Sequence, residues 1–173
     1  MKNIFVMSDP HFSHQGVCEF LSKDGQTKLR PWDNAEEMDE ELVKRYNSVV
    51  GINDKCYFLG DIAIKKSGLS VLSRLNGDKV LIKGNHDIFK LKDYTTYFRD
   101  IRAYHVMDRV IMSHIPIHPS QKFRFRMNIH GHTHDHNIMK VENGVEVVDP
   151  WYKCVCVEQH DFTPVEYSTL ISE

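Results

Sequence analysis

The stretch Asn128-Ile129-His130-Gly131-His132-Thr133-His134 reads as a buried strand that runs into a glycine turn carrying imidazoles. A turn placed just after a strand can aim both His132 and His134 into one cleft, which suits metal binding. By itself the stretch says little, because histidine-rich tracts bind metals adventitiously. Its weight comes from four earlier segments of the same kind. Ile4-Phe5-Val6-Met7 closes at Asp9-Pro10-His11, and Cys56-Tyr57-Phe58-Leu59 closes at Gly60-Asp61. Val80-Leu81-Ile82 closes at Gly84-Asn85-His86-Asp87, and Val110-Ile111-Met112 closes at Ser113-His114. Each is a short apolar run ended by turn residues, the pattern of a buried strand. Open α/β sheets place their sites at the C-terminal ends of strands. Five such ends here carry Asp, His or Asn.

Between these strands the sequence predicts a helix with Asp33 or Asn34 as cap and Glu36 and Glu37 in its first turn. Met38, Leu42, Tyr46 and Val49 lie along its inward side, and Gly51 stops it. The charges from Glu36 to Glu41 read as a solvated face. A short helix over Ser70–Leu75 would turn Val71, Leu72 and Leu75 inward. Asn143-Gly144 between two alternating runs predicts a hairpin. Thr163-Pro164-Val165-Glu166 has the form of a capping box opening a C-terminal helix. Residues 22–34 read as a long mobile loop beside the first cluster. The expected architecture is α/β, a two-sheet sandwich flanked by helices, in one domain spanning 1–173.

Composition excludes more than it selects. The formal charge of −2 gives no global attraction to nucleic acid or to an anionic membrane, so affinity for a polyanion must come from a local patch or a bound cation. Cys18, Cys56, Cys154 and Cys156 form no Cys-x-x-Cys pair, which argues against a zinc ribbon or a thioredoxin-type motif. No apolar run reaches membrane-spanning length, and the N-terminus enters a strand directly, so the expectation is a cytoplasmic protein without a signal peptide. Eleven histidines are the one compositional anomaly.

The candidate ligands are Asp9, His11, Asp61, Asn85, His114, His132 and His134, with His86 and Asp87 beside them. Carboxylate, imidazole and amide oxygen together suit Mn, Fe, Zn, Ni or Mg. Seven ligands exceed what one ion with an open position needs, whereas two ions bridged by a carboxylate use them all. Such a pair, about 3.5 Å apart, activates a bridging water and clamps the oxygens of a phosphoryl group. A histidine that binds no metal can protonate the departing oxygen.

In this order, Asp9-x-His11, Gly60-Asp61, Gly84-Asn85-His86-Asp87, His114 and Gly131-His132-Thr133-His134 resemble the five motif blocks of the calcineurin-like metallophosphoesterase superfamily. The opening Asp-Pro-His-Phe-Ser-His and the tail from Cys156-Val157-Glu158 to Pro164-Val165-Glu166 are similar to its short bacterial and phage members. The resemblance implies one metal held by Asp9, His11, Asp61 and His134, and a second held by Asp61, Asn85, His114 and His132, with manganese the foremost candidate. It implies that His86 stabilises the phosphoryl oxygens or protonates the leaving group, and that Asp87 orients His86. The sequence departs from the pattern after Gly60-Asp61, where Ile62-Ala63-Ile64-Lys65-Lys66 replaces an expected acidic residue and makes the surroundings more basic.

The expected activity is a dinuclear metal-dependent phosphodiesterase acting on a nucleotide or nucleic-acid ester by attack of a metal-bridging hydroxide. A phosphomonoesterase and a non-catalytic metal-dependent binding scaffold are the alternatives. His14, one short turn past His11, is a candidate substrate contact. So are Arg124 and Arg126, which alternate with Phe123 and Phe125 and would grip phosphate beside His114 if that segment were extended. Arg30 and Trp32 are candidates for a stacking surface.

Overall fold

The computed structural model describes residues 2–172. The first half alternates strand and helix: β1 (Ile4–Met7), α1 (Ala35–Val49), β2 (Lys55–Phe58), a 3-10 segment (Lys66–Arg74), β3 (Asp78–Ile82), a single turn α2 (Leu91–Tyr94) and β4 (Asp100–Arg102). The second half is mostly strand: β5 (His105–Met107), β6 (Val110–Ser113), β7 (Met127–His130), β8 (Met139–Glu142), β9 (Val145–Val148), β10 (Tyr152–Cys154) and β11 (Val165–Glu166), then α3 (Tyr167–Ile171). The strands form a five-stranded sheet in the order β11-β1-β2-β3-β4, a four-stranded sheet in the order β10-β7-β6-β5, and the β8-β9 hairpin. Parallel pairing runs from β1 through β4 and across β10-β7-β6.

The two-residue period of the strands explains the layering. Phe5, Met7, Cys56, Phe58 and Leu81 face one side of the larger sheet, against Met38, Leu42, Val43 and Tyr46 of α1 and Leu69 and Leu72 of the 3-10 segment. Val6, Tyr57, Leu59, Val80 and Ile82 face the other side, where Val110, Met112, Met127 and Ile129 of the smaller sheet meet them. Two sheets thus pack face to face, with helix outside the larger one. Each fully buried aliphatic or aromatic side chain in these layers contributes about 1.5–3 kcal/mol.

Asn34 caps α1 by accepting from the Glu37 backbone N–H at 2.8 Å, which decides between the two caps, Asp33 and Asn34, that the sequence offers. The hairpin forms at Asn143-Gly144, with both residues at positive φ. Other expectations need correction. Val49 is 38% exposed, and Val50, just past the helix, takes the buried position instead. Asp39 leaves the solvated face and is buried, accepting from the backbone N–H and hydroxyl of Ser13. Val71, Leu72 and Leu75 do turn inward, but their segment is 3-10 and starts at Lys66. There a Cβ on Gly68 would lie 2.5 Å from the Phe12 carbonyl oxygen.

Thr163–Glu166 is no capping box. Val165 and Glu166 pair antiparallel with Val6 and Phe5, and α3 begins only at Tyr167, with no side-chain cap. Covering the open edge of β1 outweighs the local cap signal. Lys122–Phe125 is turn rather than strand: Lys122 N–H donates to the Pro119 carbonyl, and the N–H groups of Arg124 and Phe125 both donate to the Gln121 carbonyl. The 22–34 loop is pinned rather than free-running. Leu21 bridges Lys28, Asp24 accepts from the backbones of Gln26 and Thr27, and Arg30 is wholly buried. Among the described residues, no helix is long and apolar enough to cross a membrane.

Candidate metal centre

All five strand-end segments converge at one edge of the two sheets. After β1 the chain turns through Asp9 and His11, after β2 through Asp61, and after β7 through His132 and His134. These five residues all have left-handed backbones, with φ of 57°, 51°, 54°, 71° and 49°. For a residue with a Cβ this conformation costs roughly 1–2 kcal/mol, and it persists only where surrounding contacts over-determine it. Here they do. Asp9 N–H donates to the Gly60 carbonyl, His11 N–H to that of Asp61, Phe12 N–H to that of Ile62, and Gly131 N–H to that of His114. Glycine is required at the closest approaches: a Cβ on Gly84 would lie 2.2 Å from Asp61 Oδ1, and one on Gly131 2.0 Å from Ser8 Oγ.

Two groups of ligand atoms result, Asp9–His11–His134 and Asp61–His114–His132, each with its atoms within 4.8 Å of one another. His11 Nε2 lies 3.7 Å from Asp9 Oδ1, and His134 Nε2 lies 3.9 Å from the same oxygen. His114 Nε2 stands 3.4 Å from Asp61 Oδ2 and 2.8 Å from Asn85 Oδ1. Asp61 Oδ2 is also 4.0 Å from His11 Nε2, so this carboxylate stands between the groups. Two ligands bound to one ion at about 2.1 Å lie roughly 3.0–3.4 Å apart, so small movements would let each group close on a cation.

The hydrogen bonding supports that fit. Asp9 Oδ2 accepts from Ser8 Oγ at 2.5 Å, from His132 N–H at 2.9 Å and from Cys156 Sγ at 3.3 Å. Among the described residues its Oδ1 is buried with no partner, as are both ring nitrogens of His11. Buried polar atoms are seldom left unpaired, and Asp9 Oδ1 and His11 Nε2 stand 3.7 Å apart. His114 Nδ1 is fixed on the Leu59 carbonyl at 2.7 Å and His134 Nδ1 on Glu158 Oε1 at 3.0 Å. A ring that donates through Nδ1 presents its Nε2 lone pair to a metal.

Electrostatics agree. Burial raises the Asp9 pKa, but the nearby His11 ring and the fields of His114 and His134 outweigh it and hold the carboxyl well below the usual range. Asp61 is lowered likewise against its burial, chiefly by His114. Burial opposes charge on His114 and His134, yet Asp61 and Asp9 raise the first and Glu158 and Asp9 raise the second. The carboxylates thus favour positive charge beside these imidazoles, which a bound cation would supply.

The remaining predicted residues are placed as follows. Asn85 and His86 are exposed at the mouth, with the His86 ring 5.9 Å from that of His11 and its backbone N–H donating to Asp61 Oδ1 at 2.9 Å. The His14 ring lies 5.6 Å from His11, so the structure brings it to the site. Asp87 does not meet the His86 ring. Its carboxylate accepts from the backbone N–H groups of Asp61, Ile62 and Gly84, tying two ligand loops together. Arg124 and Arg126 are not brought to the site. Arg126 immediately precedes β7, whose far end carries His130, and four strand residues span about 13 Å. Arg30 offers no stacking surface, for it is 0% exposed and donates to the carbonyls of Asp9 and Pro10 and to Glu158. Trp32 packs on Phe162 at 4.6 Å.

Sequence reasoning missed Ser8, Arg30 and Glu158 as supports of the ligands. Glu158 lies 24 positions from His134, and no periodicity links them. An arginine in a loop and a glutamate in a tail give no local sign that they will pair at 2.6 Å under a turn that carries candidate ligands.

No family model matches the chain. Over 93 residues it is 39% identical to the uncharacterized protein MJ1445 of Methanocaldococcus jannaschii, covering 51% of this chain and 49% of that protein. Over 92 residues it is 35% identical to the Gene 66 protein of Mycobacterium phage L5, covering 50% and 41%. The chain therefore spans about half or less of the length of these curated relatives. The crystal structure of the protein of unknown function AQ665 from Aquifex aeolicus matches over 99% of both chains, with a TM-score of 0.70 at 20% identity. That likeness bears on the fold alone.

Proposed function

We propose that the chain is a metal-dependent phosphoesterase of the calcineurin-like type, folded as that superfamily's two-sheet sandwich and acting on a phosphodiester. The observation that carries this reading is the position of Asp61. Its Oδ2 faces His114 at 3.4 Å in one ligand group and His11 at 4.0 Å in the other, where a carboxylate shared by two cations would stand. Asp9, His11 and His134 would complete one site, and Asn85, His114 and His132 the other. Bound there, a pair of divalent cations supplies an activated water and neutralises charge on the phosphoryl oxygens.

The chain's own groups do the rest. Asp9 and Asp61 bring negative charge into a buried setting, which favours divalent cations over water. Glu158 and the Leu59 carbonyl hold the His134 and His114 rings with Nε2 turned inward. Asp87 keeps the Asp61 and Gly84 loops in register. His86 is exposed at the mouth beside His11 and has no ligand role, so it is free to donate a proton to a departing oxygen. Exposure of Asn85, His86 and His132 leaves the site open to an ester substituted on two sides, which favours a diester over a monoester.

The deciding experiment is hydrolysis of bis-p-nitrophenyl phosphate and p-nitrophenyl phosphate by chelated protein refilled with Mn²⁺, Ni²⁺, Zn²⁺ or Mg²⁺, with metal content measured in parallel. Two ions per chain and metal-dependent cleavage favouring the diester are expected. Asp61→Asn should lose both ions and the activity together. Preference for the monoester would identify a phosphatase. Two ions with no turnover under any metal would leave a binding scaffold.

A further inference from the structure

Beside His132 and His134 lies a cleft of about 660 Å³, well within the size of small-molecule sites. Its walls differ in chemistry. One is built from Phe20, Leu21 and Leu29, and the other from the turn bearing His132, His134 and His136. Phe20 is 50% exposed and Leu21 55%, so two large apolar side chains face water directly beside the ligand groups. This wall is a fixed feature. Leu21 bridges Lys28, and Leu29 N–H donates to the Phe20 carbonyl at 2.8 Å. Ser22 Oγ and Lys23 N–H each donate to Asp135 Oδ2 at 2.7 Å, which ties the apolar wall to the histidine wall. The Phe20 ring meets His14 edge-on at 6.0 Å, and His14 meets His11 at 5.6 Å. The apolar wall therefore continues from the first ligand group.

We propose that this cleft is a subsite for a flat aromatic group of nucleobase size carried by the phosphoester. The inference deepens the phosphoesterase reading and rests on it. Phe20 stands in one wall and the imidazoles of His132, His134 and His136 in the other, so a planar group held in the cleft would have an aromatic ring on either side. The polar groups of the histidine wall are largely committed elsewhere: Asp135 to Ser22 and Lys23, His134 Nδ1 to Glu158, and Thr133 Oγ1 to Cys154 Sγ. Recognition is then by stacking and burial, which distinguishes a ring from no ring more than one base from another.

The test is equilibrium binding to the metal-loaded protein by calorimetry, comparing adenosine 5′-monophosphate, ribose 5-phosphate and hexyl phosphate. Adenosine monophosphate should bind about tenfold or more tightly than ribose 5-phosphate, the loss expected when one stacked base is removed. Phe20→Ala and Leu21→Ala, both at half-exposed positions, should each reduce that preference, with circular dichroism confirming the fold. Equal binding of the adenosine and ribose phosphates would overturn the subsite while leaving the phosphoester reading standing. Hexyl phosphate as tight as adenosine monophosphate would overturn the aromatic assignment. Failure of all three phosphates to bind protein that holds its metals would overturn the subsite, while the phosphoester reading stands or falls on hydrolysis of bis-p-nitrophenyl phosphate.

Discussion

At the residue scale, the site depends on side chains that each do one thing with one atom and something else with another. Asp9 spends Oδ2 on Ser8, His132 N–H and Cys156 and leaves Oδ1 bare. His134 spends Nδ1 on Glu158 and turns Nε2 inward. Removing Glu158's charge tests this division. Glu158→Gln is expected to lower metal affinity about 10–100-fold through loss of the His134 support. It should also destabilise the fold by about 3–5 kcal/mol, because Arg30 keeps its charge in a wholly buried position without its carboxylate. Metal titration and urea unfolding measure the two effects separately. His86 predicts the opposite split. His86→Ala should keep the metal content of the parent and lower turnover by ~10²-fold or more. Parent-like turnover in that variant would remove His86 from the proton transfer.

At the element scale, the site is made where strands stop. Parallel neighbours end together, so residues distant in sequence arrive at one sheet edge, and left-handed turns fold their side chains back over it. Glycines permit the contact between turns. Gly131→Ala would place a Cβ 2.0 Å from Ser8 Oγ and 2.5 Å from Asp9 Oδ2, so the β7 turn must move away from the β1 turn. Isothermal metal titration of this variant should show weaker binding at the Asp9 group, and a melting curve should show a lower Tm. Unchanged binding would mean that the turns yield without cost. The Arg124 and Arg126 expectation failed at this same scale. Pro119 begins a 3-10 turn whose carbonyls collect the following N–H groups, so the alternation of Arg and Phe never becomes a strand.

At the scale of the whole molecule, the two sheets hold the ligand groups together, and the cations in turn should hold the sheets. Asp9 and His11 come from the larger sheet's edge and His132 and His134 from the smaller one's, so a bound ion would cross-link the layers. Saturating Mn²⁺ at 100 times Kd would add about 2.7 kcal/mol of stability, read as a rise in Tm over the chelated protein. Its pH dependence has a definite sign. In the metal-free protein His114 and His134 have raised pKa values, so their stabilising contribution is full below the ordinary imidazole value and fades as pH rises through the raised one. Asp9, Asp61 and Glu158 are lowered, so their contribution is present above the ordinary carboxylate value and is lost only as pH falls through the depressed values. Metal binding needs the imidazoles neutral. The gap in Tm between metal-loaded and chelated protein should therefore widen from pH 5.5 to pH 8. A gap that narrows would contradict the ligand assignment.

The sequence alone determined the α/β character and the edge at which candidate residues gather. Short apolar runs closed by Gly, Asp and Pro mark strand ends without reference to anything distant, because burial and turn geometry are local demands. It likewise narrowed the α1 cap to Asp33 or Asn34 and determined the Asn143-Gly144 hairpin, where one side chain or one pair of backbone angles suffices. Tertiary structure decided whatever required a partner far along the chain. Val165 and Glu166 became a strand because β1 had an edge to cover. Asp87 served backbone N–H groups of another loop instead of its neighbour His86. Arg30 was drawn inside because Glu158 and two carbonyls awaited it, and Phe20 became the wall of a cleft because Asp135 anchors its loop. Hydrogen-bond satisfaction and charge pairing in a buried setting are settled between surfaces that meet only after folding, and sequence spacing carries no record of them.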